Sequence, residues 1–83
     1  LYATLGHVYA EQGQWSGAQQ AYFQAFQSDP ANPDYAYNLA VGLERVGQPK
    51  IAAGYYRQAL DLARTRGTSG FDRKIAQQRL DKL

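Results

Sequence analysis

Few residues in this chain are of a type that does chemistry, and their company decides what they can do. His7 is the sole histidine and there is no cysteine. A catalytic or metal-binding imidazole needs partners, and one ring without thiolates builds no transition-metal cage. What remains for His7 is a polar ring on a binding surface. Glu11 and Glu44 are the next to weigh, since two carboxylates across a cleft can serve as acid and base. Nothing around either supplies a closed pocket, so both read as solvated wall. Nucleophile–base pairs and phosphate-binding loops are missing from the sequence. The residues therefore point away from an enzyme, a cofactor or a small-molecule substrate. The charge is uneven: Glu11, Asp29, Asp34 and Glu44 precede Arg45 with no Lys or Arg among them, while all nine basic residues lie from Arg45 onward. The net charge is only +2.

The elements that must carry these residues are set by a repeat. Shifted by 34 residues, the chain overlays on itself: Leu5 on Leu39, Gly13-Gln14 on Gly47-Gln48, Ala18 on Ala52, Tyr22 on Tyr56, Gln24-Ala25 on Gln58-Ala59. A fixed period of this size marks a stacked repeat. Apolar residues at intervals of three and four predict helices over Leu1 to about Gln12, Ser16 to Ser28, Pro33 to Val46, and from Pro49 past Ala63. Gly13 and Gly47 are the expected stops, and Trp15 is expected in the turn, with Ser16 as cap of the second helix. Asp29-Pro30 ends that helix; Asn32 then caps, with Pro33 at the first helical position. A Gly-rich loop, 64–70, precedes a fifth helix, about Gly70 to Lys82. Its expected cap is a box of Ser69 and Asp72, with Phe71, Ile75, Ala76 and Leu80 inward. No stretch alternates as a strand does. The fold class is all-α: antiparallel helix pairs stacked as repeat one (1–32), repeat two (33–66) and a capping helix (69–83).

Tyr2-x2-Leu5-Gly6-x2-Tyr9, then Ala18-x3-Tyr22, Ala25 and Pro30, resemble the tetratricopeptide repeat pattern W-x2-L-G-x2-Y…A-x3-F…P. Leu39-Ala40, Leu43, Gly47, Ala52, Tyr56 and Ala59 resemble it a second time. The second unit departs at Ala36, where the family prefers a large aromatic. It departs again at Arg64, where the closing proline would fall, so the fourth helix is expected to run on. The last helix is similar to the family's solvating end helix, with its apolar spacing out of phase with the repeat. The resemblance implies a right-handed superhelix and a non-catalytic scaffold whose concave groove receives a partner peptide or helix. It places Ala3, His7 and Glu11 on the groove face of the first helix. On the third helix it places Asp34, Tyr37, Asn38, Val41, Glu44 and Arg45 there. Asn38 matches a position whose amide bonds a bound backbone, and an amide both donates and accepts. Tyr37 is the expected anchor, and Leu5, Val8, Leu39 and Leu43 the packing stripe.

Some members of the family clamp a partner's terminal carboxylate. The matching positions here are Ala3, His7, Asn38, Thr68 and Asp72, and only Asn38 fits, so that mode is not expected. Glu11, Asp34 and Glu44 set against Arg45 favour a neutral or basic partner segment. The Gln- and Tyr-rich wording is similar to repeats of bacterial pilus-assembly and secretion proteins. The alternative function is nucleic-acid binding by Arg64, Arg66, Arg73, Lys74, Arg79 and Lys82. Asp72 and Asp81 interrupt that patch and no aromatics are interleaved, which makes it the weaker reading. The chain does not open on Met, and Leu1 reads as already helical, so it is expected to be part of a longer protein. Leu1 and Val8 should then form an open apolar edge through which copies self-associate, because their matches, Tyr35 and Gly42, should pack on the second helix around Phe26.

Overall fold

The computed structural model describes all 83 residues. Five helices follow one another: α1 (Tyr2–Glu11), α2 (Trp15–Ser28), α3 (Pro33–Arg45), α4 (Pro49–Arg66) and α5 (Arg73–Asp81). There is no strand. Substantial packing runs only between neighbours in sequence: α1 with α2, α2 with α3, α3 with α4, and α4 with α5. That is the layout of a helical solenoid.

The repeat is visible in the turns. At Gly13 and Gly47 the backbone takes φ of 73° and 85°, the left-handed region that favours glycine. Each turn is closed by the same bonds. Gln14 N–H reaches the Tyr9 carbonyl at 2.9 Å, and Gln48 N–H reaches the Leu43 carbonyl at 2.9 Å. These are the bonds of a Schellman turn, which satisfy carbonyls a helix end would otherwise leave bare. The next helix begins at once, with Gln14 and Gln48 as N-caps that use no side-chain bond. Ser16 is therefore not the cap, and Trp15 is the first residue of α2 rather than part of the turn. Between the pairs, Asn32 caps α3 as its sequence predicts. Its Oδ1 accepts from Asp34 N at 2.9 Å and from Tyr35 N at 3.3 Å.

The core is small residues against two rings. Ala18, Tyr22, Leu39, Ala40, Leu43, Ala52 and Tyr56 form one buried cluster. Alanines admit a neighbouring helix closely, and the tyrosines fill what remains. Gly6 lies under the Tyr22 ring, and Gly42 packs on the α2 backbone at Gln19. The expected contact of the Gly42 region with α2 thus forms, but at Gln19. Phe26 turns its ring edge instead to Tyr55 of α4, at 5.3 Å.

The packing stripe is only half realised. Leu39 and Leu43 are buried, whereas Leu5 and Val8 are 42% and 45% exposed. Their matches Leu39 and Gly42 are covered by α2, and nothing in the chain covers α1 in the same way. The fourth helix runs on to Arg66, past Arg64, and ends on Gly67 at φ 78°. The expected capping box does not form: Asp72 caps α5, accepting from Lys74 N at 2.8 Å, while Ser69 Oγ bonds the Phe71 carbonyl. Phe71 thus precedes the helix. Ala76 is buried as expected, but Ile75 is 47% exposed. Ala76 lies one period after Gly42, so α5 keeps the repeat's place although its apolar spacing had suggested otherwise.

Two glycines separate packing from helix propensity. A Cβ at Gly6 would stand 2.5 Å from Tyr22 Cδ1, whereas one at Gly54 would meet nothing within 4 Å. Gly6→Ala should lower stability by about 1–3 kcal/mol, because overpacking against a pinned ring outweighs the propensity gain. Gly54→Ala should raise it by about 0.5–1 kcal/mol, the ordinary gain inside a helix. Urea melts of both variants check this, and equal shifts would mean that Tyr22 is free to move.

Candidate functional site

The face predicted as a groove splits into two halves of different character. On α1, Ala3 is half-buried, and His7 and Glu11 are exposed. His7 is not free: its Nδ1 is hydrogen-bonded with the Tyr22 hydroxyl at 2.8 Å, and the rings meet edge-on at 5.4 Å. Its first task is to satisfy a buried phenol. Burial, and then the Glu11 charge, push the Tyr22 hydroxyl above its ordinary pKa.

On α3 the structure gathers residues that the sequence had set apart. Asp34 accepts the Gly70 N–H at 2.7 Å. Tyr37 lies flat on Phe71, with centroids 4.5 Å apart and planes 6° from parallel, and meets Tyr56 edge-on at 5.8 Å. Glu44 Oε1 accepts the Tyr56 hydroxyl at 2.6 Å and has Arg79 Nη1 at 3.7 Å. Tyr37 is therefore part of a packed aromatic step, and its ring is no longer a free anchor. Arg45 leaves the face altogether: its guanidinium sits over the Trp15 ring, 5.2 Å from the centroid. Asn38 and Val41 are half-buried. Val41 rests on the core, while no side-chain hydrogen bond within the chain uses the Asn38 amide.

Sequence reasoning missed the α5 wall. Phe71, Ile75, Gln78 and Arg79 stand one period after Tyr37, Val41, Glu44 and Arg45. The 34-residue shift could have found them, but Arg73 and Gln77 break the apolar match and hide it. Glu44, Ile75, Gln78, Arg79 and Lys82 line an open cleft of about 310 Å³. Two other depressions exist. One, of about 240 Å³, opens on the outer edge among Tyr2, Leu5, Tyr9 and Ala21. The other lies between Asn32 to Asp34 and residues 66–70, and is lined mostly by polar residues.

The Tyr56, Glu44 and Arg79 cluster ties three helices together. Burial raises the Tyr56 pKa most, followed by the hydrogen bond to Glu44 and its charge, while Arg79 offsets part of the rise. Burial works against the Arg79 charge, yet Tyr56, Tyr37 and Glu44 together hold it above its ordinary value. A phenol with a raised folded-state pKa adds stability that is whole below its unfolded value near 10 and is lost as pH rises towards the folded value. Stability should therefore fall above pH 10. A spectrophotometric titration of the folded chain should show a late tyrosinate phase that Tyr56→Phe reduces. An unchanged late phase would place Tyr56 in water.

The family comparison agrees with this geometry. A TPR repeat model matches residues 6–47, and a tetratricopeptide repeat model matches residues 36–69. Searches of curated proteins and of solved structures returned no match. The first match covers 42 of the 83 residues, the two together span 6–69, and the glycine turns at Gly13 and Gly47 and the alanine–tyrosine core lie within them. This chain belongs to the tetratricopeptide repeat family.

Proposed function

We propose that the chain is a non-catalytic scaffold that binds a segment of another protein on the face formed by α1, α3 and α5. Tetratricopeptide repeats are generally protein–protein interaction modules and typically non-catalytic. The observation that carries the reading is the Asn38 amide. It sits half-buried beside Val41 with no side-chain bond inside the chain, where it can donate to and accept from a peptide backbone. Ala3, His7 and Glu11 form the α1 end of the same face, and Asp34, Tyr37 and Glu44 shape its floor through their own-chain bonds. At the α1 end Glu11 has no ion-pair partner, which supports a neutral or basic stretch of the bound segment there. The Gln- and Tyr-rich helices support a setting in pilus assembly or secretion.

Peptides selected from a random display library on the immobilised chain test the reading. Their affinity should drop by about tenfold in Asn38→Ala, the loss of one interface anchor. Val41→Gln should act likewise, with circular dichroism confirming the fold. Selected peptides indifferent to both changes would remove this face from the function.

We also propose that copies of the chain meet through the open edge of α1. Leu1, Tyr2, Leu5 and Val8 are 99%, 45%, 42% and 45% exposed, a contiguous apolar surface of the kind that finds partners. Val8→Glu should shift the chain towards monomer in sedimentation. A wild-type chain that is already monomeric at high concentration would sink this proposal.

A further inference from the structure

The cleft between α3 and α5 is the far end of the proposed groove, so its role as a docking site depends on that groove binding protein. Its chemistry differs from that of the α1 end. Its one lining carboxylate is already engaged. Glu44 is held by the Tyr56 hydroxyl and faces Arg79. Asp72 caps α5, and Asp81 accepts from Gln77 Nε2 at 2.8 Å. Its cations are not spent. The chain has only two ion pairs, Arg64 with Asp61 and Arg79 with Glu44 at the long distance of 3.7 Å. Lys82 has no ionic partner, and the Arg79 fork retains donors that one distant oxygen cannot fill. One turn before Arg79 on the same helix stands Ile75, 47% exposed on the cleft wall.

We infer that this cleft takes an acidic protein segment with an apolar side chain, which covers Ile75 while its carboxylates meet Arg79 and Lys82. Charge complementarity fixes the sign, and the guanidinium fork suits a carboxylate. Arg79 already stands beside Glu44, so its head is near its working position before a ligand arrives. With Glu11 unpaired at the α1 end, the whole groove is dipolar, and the bound segment should carry its acidic end over α5. A nucleic acid is the poorer occupant, because the Phe71 ring already has a face taken by Tyr37, and the apolar Ile75 wall gives a phosphate backbone nothing to bind.

The same peptide library, panned on the full chain, decides this. The selected peptides should be enriched in Asp or Glu beside Leu, Ile or Phe, and should bind more weakly as salt rises. Fluorescence anisotropy should show about tenfold weaker binding to Ile75→Asp and to Lys82→Glu, with Lys82→Gln intermediate. Both positions are exposed, so circular dichroism should be unchanged. Peptides that need Asn38 but are basic or neutral, or that ignore Lys82→Glu and Ile75→Asp, overturn this inference and leave the groove reading standing. A failure to select any groove-dependent peptide overturns both. Displacement of the selected peptides by a short single-stranded oligonucleotide at moderate salt would show a general polyanion site and overturn the inference in favour of nucleic acid.

Discussion

The fold depends on how closely its helices approach. Gly6 under Tyr22, Gly42 on Gln19, and Ala18 and Ala52 fully enclosed are the points where side chains have been reduced to let backbones meet. At such separations each ring has one place to go. Tyr22 and Tyr56 occupy matching positions in the two units, and each sends its hydroxyl out of the core to a polar group on the face proposed as a groove, His7 for one and Glu44 for the other. The packing thus fixes where the polar groups of the proposed groove stand. A buried phenol without a partner would cost roughly 1–3 kcal/mol, so the identity of these groups is a stability requirement before it is a binding property.

Much of this was legible in the sequence because it rests on local rules. The 34-residue shift, the glycine turns and the Asn32-Pro33 start each involve residues close in sequence whose backbone preferences are strong. The caps that were misjudged show where such rules give way. Ser16 has the right chemistry, but the Schellman bonds of Gln14 close the turn so tightly that α2 begins before it. Ser69 has the right spacing to Asp72, but Phe71 stacked on Tyr37 and Gly70 bonded to Asp34 hold the chain outside a helix until Asp72. Tertiary contacts chose the later cap.

The site was legible in outline only. Position in the repeat places Asp34, Tyr37 and Glu44 on one face, and their types suggest an acidic surface with an aromatic anchor. Three dimensions reverse much of that, because Gly70, Phe71 and Arg79 come from a segment whose charges mask its place in the repeat. Arg45 shows the same limit in a smaller way. Its number puts it on the groove, but a ring at the start of the preceding helix, Trp15, offers its cation a better seat. Which charges a surface offers depends on which ones the chain has already used.

Packing confined to sequence neighbours has a consequence in time. No large loop must close before native contacts form, so the entropy cost of early folding is low and the chain should fold quickly for its size. Stability is then passed from one helix to the next, each leaning on the one beside it. The middle helices are held from two sides and the terminal ones from one. Opening therefore starts at α1 and α5 and moves inward, and amide protection should rise from both termini towards the α2–α3–α4 centre. The two outer helices carry both proposed contact surfaces, so a partner bound at either end would slow the first step by which the whole chain comes apart.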